Sequence, residues 1–191
     1  MTIERMLRVN HSGEVAAQAI YKAQLRVFRQ GPTHHLLKEM LEQEQRHLTT
    51  FNELLPKYQV RPSALLPLWQ LCGSALGFTT VMSMVVDHRH LPDPKLQWLV
   101  LKLLKLSLAV ITMSNYIFMH SFVFSQIREL QSNVGTKDEG LLKIIQEFRD
   151  DELQHQKTAI EQKSQETLGH GILTFIIKRG CEAAIEIAKR V

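Results

Sequence analysis

The chain has 191 residues, of which 45% are hydrophobic and 22% are charged, so its length suits one domain with a full core. Its two cysteines, Cys72 and Cys181, lie far apart in the chain, which argues against a disulfide framework and against a thiolate zinc site. The net charge is +4, and the basic residues are scattered along the chain without interleaved aromatic residues. This pattern does not predict a nucleic-acid-binding surface.

Helical spacing of apolar residues dominates the chain, and strand signals are absent because neither hairpin dipeptides nor sustained alternation occur. A break at 31–33 separates the first two helices, and Thr136 and Asp138 are typical helix-start residues in a later loop. The predicted apolar and helical segments, in chain order, cover about residues 3–28, 34–55, 69–84, 96–124, 141–163 and 172–191. The predicted fold class is an all-α bundle.

The apolar segment at 96–124 has more than one interpretation. Residues 106–124 carry no formally charged side chain, and this stretch approaches the roughly 20 residues that span a bilayer. Polar side chains such as Asn115 and His120 interrupt it. Hydropathy leaves open a membrane-embedded helix, a central core helix and a poorly fitting insertion.

An internal repeat carries the strongest chemical signal. Glu44 precedes His47, and Glu152 precedes His155, by three positions, and in both copies two aliphatic residues lie seven and eight positions before the glutamate. Residues three apart on a helix point the same way, so each pair can bind one cation. Two such motifs in matching register are typical of a di-iron carboxylate site in a helical bundle, and carboxylate with imidazole suits Fe(II).

Glu14 is a further candidate ligand. It lies in a helix of small and apolar residues, where a buried acid is costly unless it is paired or bound to metal. The alternative is a glutamate at the edge of a helix, and the two Glu-x-x-His motifs favour the ligand.

Several segments of the chain are similar to those of a known family. The segments RVNHSGE, EQEQRHL, FNELLPKYQVRPSALLPLW, FRDDELQH and GCEAAIEIA resemble the demethoxyubiquinone hydroxylases of ubiquinone biosynthesis, over about residues 3–80 and 125–191. The resemblance implies a single ferritin-like four-helix bundle over 1–191, with additional amphipathic membrane-associating helices. It also implies two iron ions, O₂ as co-substrate and reducing equivalents ultimately from NADH.

The resemblance implies a reaction and a location as well. The substrate would be a polyprenyl methoxy-benzoquinol whose ring is hydroxylated. The partners would be the membrane surface and a lipid-binding protein of ubiquinone biosynthesis. The location would be the matrix face of the mitochondrial inner membrane, or the cell membrane in a bacterium.

The resemblance also implies roles for individual residues. It assigns five metal ligands in this chain, which are Glu14, Glu44, His47, Glu152 and His155. Glu44 and Glu152 would bridge the metals, and His11 would orient a ligand by hydrogen bonding. The family usually has an aspartate where this chain has Asn10.

One expected ligand is missing. The family carries a glutamate in the third bundle helix, and its position falls near Tyr116 or Ile117, in a segment of about 80–124 that does not resemble the family. Within that segment, the pattern Asp87-His88-x-His90 is interpreted as a solvated turn rather than a metal site.

The missing glutamate keeps three functions open. They are an active hydroxylase, an inactive scaffold paralogue or aberrant isoform, and an iron-buffering ferritin-like protein. Apolar segments at 65–86 and 172–187 argue against a cage-forming buffering protein. The closing helix over about 172–191 fits either an interfacial helix on anionic lipid or a partner helix that completes the bundle.

Overall fold

The computed structural model describes residues 2–85, 93–95, 124–132, 138–161, 179–180 and 182–190. Every regular element in these ranges is helical, so the prediction of an all-α fold is confirmed for this part of the chain. The helices are α1 (Ile3–Leu25), α2 (Pro32–Lys57), α3 (Leu66–Val85), α4 (Phe124–Ser132) and α5 (Glu139–Glu161). Residues 182–188 add a short helical segment near the C-terminus.

Local sequence signals account for the ends of these helices. Thr2 caps α1, because its hydroxyl accepts a hydrogen bond from the Arg5 amide over 3.4 Å. Gly31, with φ of 90°, and Pro32 make the predicted break before α2. Asp138 caps α5, because its Oδ1 accepts from the Leu141 amide over 2.9 Å. Helix α1 ends at Leu25, earlier than predicted.

Several predictions concern segments outside the described residues. They include the interpretation of 96–123, the Asp87-His88-x-His90 turn, the start signal at Thr136, the expected ligand position near Tyr116 or Ile117, and residues 172–178, 181 and 191 of the closing helix. Within the described ranges, no helix combines the length and hydropathy that crossing a membrane requires.

Four of the helices meet in one hydrophobic core. The buried side chains of this cluster come from α1, α2, α4 and α5 and from the turn after α2, and they are Met6, Leu7, Phe51, Leu54, Leu55, Val60, Ile127, Leu130, Leu141 and Ile145. This convergence of four helices is the arrangement of a ferritin-like bundle. It fixes α1, α2 and α5, which carry the candidate ligands.

Helix α3 lies against α1 at very short range. A Cβ atom on Gly73 would lie 2.4 Å from the carbonyl oxygen of Ala16, and one on Gly77 would lie 2.4 Å from that of Ile20. Glycine therefore permits this close approach at both positions, because a Cβ atom would force the two helices to shift apart.

The C-terminal segment is also packed onto the bundle. Ala188 and Ile185 contact Val9 of α1 and Trp69 of α3. The Arg8 guanidinium donates a hydrogen bond to the backbone carbonyl of Lys189 over 3.4 Å. In the described residues, this segment therefore behaves as a partner helix, and its membrane association stays a prediction.

Candidate metal centre

The structure brings all five predicted ligand residues together between α1, α2 and α5. They form two groups, in each of which the possible ligand atoms lie within 4.8 Å of one another. The His47 group consists of Glu14, Glu44 and His47, and the His155 group consists of Glu44, Glu152 and His155. Glu44 belongs to both groups, so its carboxylate lies between two possible cation positions. Glu152, for which the resemblance also implied a bridging role, belongs to the His155 group alone.

The spacing inside each group suits a cation. In the His47 group, His47 Nδ1 lies 3.7 Å from Glu14 Oε2 and 3.8 Å from Glu44 Oε2. In the His155 group, His155 Nδ1 lies 3.5 Å from Glu44 Oε1 and 3.8 Å from Glu152 Oε2. Most of these distances are too long for hydrogen bonds. Ligand atoms that share one divalent cation at about 2.1 Å are roughly 3.0–3.7 Å apart, and all four distances lie in this range or within about 0.1 Å of it.

The outer nitrogen of each imidazole is held by the opposite helix. His47 Nε2 lies 3.0 Å from Asp151 Oδ2, and His155 Nε2 lies 2.5 Å from Gln43 Oε1. Carboxylate and amide oxygens accept hydrogen bonds, so each Nε2 donates. The Nδ1 lone pairs then face the glutamates, as metal coordination requires. Phe148 stacks on the His47 ring with centroids 4.0 Å apart, which further fixes that ring.

Buried polar atoms that lack a hydrogen-bond partner indicate whether a metal would fit here. Among the described residues, four such atoms belong to the two groups, and they are Glu14 Oε2, Glu44 Oε2, His47 Nδ1 and His155 Nδ1. A buried acceptor without a donor is costly. Cations placed within the groups would satisfy all four atoms, so the residues fit a di-metal centre.

The pKa values show that the centre attracts positive charge. Burial raises the pKa of Glu14 to about 8, and the charge of Glu152 adds to this effect, although contact with Glu44 opposes it. Burial and the neighbouring carboxylates raise the pKa of Glu44 well above its ordinary value. Burial alone would lower the pKa of His155, but the Glu152 and Glu44 carboxylates outweigh it and raise that pKa. Protons therefore take the place of metal in the metal-free protein.

The charge of the centre is incomplete in the described residues. Glu14, Glu44 and Glu152 supply three negative charges, whereas two divalent cations carry four positive ones. The position that the resemblance assigns to a further glutamate, near Tyr116 or Ile117, lies outside the described residues.

His11 and Asn10 have partners that the sequence did not indicate. His11 Nε2 lies 3.0 Å from Asn52 Oδ1, and no described metal ligand bonds to its ring. Burial lowers the pKa of His11. The Asn10 amide pairs with that of Gln126 in α4.

Sequence reasoning missed Gln43, Asp151 and Gln126. The first two had a detectable signal, because each directly precedes the glutamate of one Glu-x-x-His motif and they align in the repeat. Gln126 had none, since its partner lies 116 positions away.

Comparison with known sequences agrees with this geometry. The sequence profile of a family described as "Ubiquinone biosynthesis protein COQ7" matches residues 1–85 and 115–188. The internal residues that the profile leaves unmatched, 86–114, lie inside the segment of about 80–124 that was predicted to be atypical. The profile does match 80–85 and 115–124, so the atypical segment is shorter than predicted.

Three relatives are similar over nearly the whole chain. The mouse protein named "NADPH-dependent 3-demethoxyubiquinone 3-hydroxylase, mitochondrial" is 32% identical, covering 98% of this chain and 77% of its own length. The Saccharomyces cerevisiae "5-demethoxyubiquinone hydroxylase, mitochondrial" is 32% identical, covering 99% and 78%. The Rhodospirillum rubrum "3-demethoxyubiquinol 3-hydroxylase" is 29% identical, covering 99% and 78%.

Proposed function

The chain belongs to the COQ7 family of ubiquinone biosynthesis proteins, and we propose that it is a di-iron monooxygenase that hydroxylates the ring of a polyprenyl demethoxyubiquinol with O₂. The observation that carries this proposal is the pair of Glu/His groups that share Glu44 and contain four unpartnered buried atoms. Iron is the proposed metal because buried carboxylates with imidazoles suit Fe(II).

The protein residues would hold and orient the metals. Glu14 and His47 would bind one iron, Glu152 and His155 the other, and Glu44 would contact both. When bound, the two iron ions would supply O₂ activation and electron transfer. The Asp151 and Gln43 hydrogen bonds keep the Nδ1 atoms of His47 and His155 aimed inward, and burial of the site excludes bulk water.

A cavity beside the centre offers a place for the quinol. It has a volume of about 440 Å³ and lies between α1, α2 and α3. Gln18 lines it and donates a hydrogen bond to the backbone carbonyl of Glu44 over 3.3 Å, which links the cavity wall to the metal centre. Gln70 and Ser74 suit the ring oxygens, whereas Leu71 suits the apolar tail.

The outer face of α3 supports a membrane approach for this substrate. Leu68, Leu71 and Phe78 are 46%, 68% and 51% exposed, and their spacing places them along one side of the helix. Leu71 also lines the cavity. We propose that this face rests on lipid, so that the tail enters the cavity from the bilayer.

The electron donor and the cellular location are part of the same proposal. The electron donor is a nicotinamide nucleotide. The resemblance implied NADH, whereas the mouse relative's name specifies NADPH. The proposed location is the periphery of the mitochondrial inner membrane on its matrix side, or a bacterial cell membrane, with a lipid-binding partner protein.

Iron content is the first test. After anaerobic reconstitution with Fe(II), we expect about two irons per chain. When O₂ and a nicotinamide-dependent reductant are then supplied, we expect hydroxylation of a short-tailed demethoxyubiquinol, with the second oxygen atom reduced to water. Glu44→Gln removes the shared ligand, so iron content and hydroxylation should both fall, whereas the exposed Glu42→Gln control should leave both unchanged. Two irons without hydroxylation would favour iron buffering, and a folded chain without iron would favour an inactive scaffold.

Membrane approach is tested separately. Leu71→Gln should weaken binding to vesicles of phosphatidylcholine and cardiolipin, whereas Leu153→Gln, an exposed leucine on α5, should not. Equal binding by both variants would contradict the assignment of the α3 face.

A further inference from the structure

The two cation positions are held by unlike neighbours. The repeat is symmetrical in its ligands, since each motif supplies one glutamate and one histidine, and the residue before each glutamate bonds to the histidine of the other motif. The symmetry ends at that residue. Asp151 faces His47 with a carboxylate, whereas Gln43 faces His155 with a neutral amide.

We propose that Asp151 and Gln43 are positioning residues that make the two cation positions unequal, so that the His47 group binds a divalent cation more tightly than the His155 group. This inference rests on the proposed metal centre. It goes beyond that proposal because it ranks the two positions and assigns the difference to residues that are not ligands.

The hydrogen bonds to the two imidazoles differ in strength because their acceptors differ in charge. A hydrogen bond from an imidazole N–H to a carboxylate is charge-assisted and stronger than one to an amide oxygen. It withdraws the proton from Nε2 and raises the basicity of the coordinating Nδ1. His47 Nδ1 is therefore a stronger donor to a cation than His155 Nδ1.

The His47 ring is also held in place before any cation binds. The His47 ring is held on two sides, by Asp151 at Nε2 and by the stacked Phe148 ring, whose centroid lies 4.0 Å away. A ligand that is already oriented loses less freedom when the cation binds.

The test is a titration of the metal-free full-length chain with Co²⁺, followed by calorimetry and by the visible absorption of the bound ion. Wild-type protein should bind two ions in separate steps. Asp151→Asn keeps the size of the side chain but removes its charge, and it should weaken the tighter step by about 10- to 100-fold and alter its absorption bands. Asp151→Glu should restore most of the affinity.

Two further variants assign the effect to its position. Asp150→Asn is the matched control, because Asp150 is exposed and bonds to Arg149 rather than to His47. It should leave both steps unchanged. Gln43→Glu gives His155 a carboxylate acceptor, so it should strengthen the weaker step and bring the two affinities together.

A double variant separates positioning from general stability. His47→Gln should abolish the tighter step, and adding Asp151→Asn should then leave the remaining step unchanged. The inference is overturned if wild type binds both ions equally, if Asp151→Asn weakens both steps equally, or if it still weakens binding in the His47→Gln protein. Absence of any Co²⁺ binding by folded wild type would overturn the metal centre itself, which is a different result.

Discussion

Asn10 and Gln126 form a reciprocal amide pair between α1 and α4. Asn10 Nδ2 donates to Gln126 Oε1 over 3.0 Å, and Gln126 Nε2 donates to Asn10 Oδ1 over 3.1 Å. The two residues are only 4% and 0% exposed, so each amide depends on the other for its hydrogen bonds. The residue that the resemblance expects at position 10, an aspartate, would lack the donor that Gln126 Oε1 receives.

Asn10→Asp should therefore destabilise this chain. The substitution leaves Gln126 Oε1 without its donor and adds an acid to a buried site, and such a loss costs about 1–3 kcal/mol. Urea unfolding of the metal-free protein at neutral pH measures this difference. The double substitution Asn10→Leu with Gln126→Met removes both polar partners and should cost less than Asn10→Asp. An aspartate variant as stable as wild type would show that the amide pair is not required.

Gly77→Ala should separate α1 from α3. Its Cβ would lie 2.4 Å from the Ile20 carbonyl oxygen, so the helices must shift, at a cost of about 1–3 kcal/mol. Thermal unfolding measures the loss. Gly180→Ala is the control, because nothing lies within 4 Å of a Cβ added there. Equal melting temperatures for the two variants would contradict the close approach of α1 and α3.

The sequence predicted the helices and the candidate ligands because both depend on spacing within one helix. The i, i+3 pairs of Glu44 with His47 and of Glu152 with His155 follow from helical geometry alone. Residue type also marked Asp138, together with Thr136, as a helix-start signal ahead of α5, since a cap is a local feature.

Contacts between helices could not be predicted in the same way. The spacing of apolar residues predicts which face of a helix is buried, but it does not predict which side chain of another helix contacts that face. The Asp151–His47 contact joins residues 104 positions apart, and its partner in the repeat, Gln43–His155, joins residues 112 apart. The Asn10–Gln126 pair is of the same kind.

Asp138→Ala should destabilise α5 at its first turn. Asp138 Oδ1 accepts from the Leu141 amide, and its Oδ2 accepts from the Tyr58 hydroxyl. Loss of a cap of this type costs about 1 kcal/mol. Asp138→Asn keeps an acceptor and should cost less. Chemical unfolding of the metal-free variants measures both, and equal losses would contradict the capping role.

The same carboxylate should add to stability above its unfolded pKa. The Tyr58 hydroxyl and the Leu141 amide lower the pKa of Asp138 in the folded protein. A lowered pKa contributes stability that is present above the ordinary value of 3.8 and is lost as pH falls through the folded value. The difference in unfolding free energy between wild type and Asp138→Asn should therefore shrink on acidification below about pH 4.

Glu14 should give the metal-free protein the opposite pH dependence. Burial raises its pKa from 4.5 to about 8, so between these values the folded state holds a proton that the unfolded state releases. Its contribution to stability is complete below pH 4.5 and is lost as pH rises to 8, with a slope of at most about 1.4 kcal/mol per pH unit for one proton. Glu14→Gln should flatten the dependence of unfolding free energy on pH, whereas Glu42→Gln should not.

Adding Mn²⁺ should reverse the slope of unfolding free energy against pH, because the cation displaces the proton of Glu14 and binds more tightly as pH rises. Chemical unfolding from pH 5 to 8.5, with and without Mn²⁺, measures this, and a wild-type profile as flat as that of Glu14→Gln would contradict a protonated, buried Glu14.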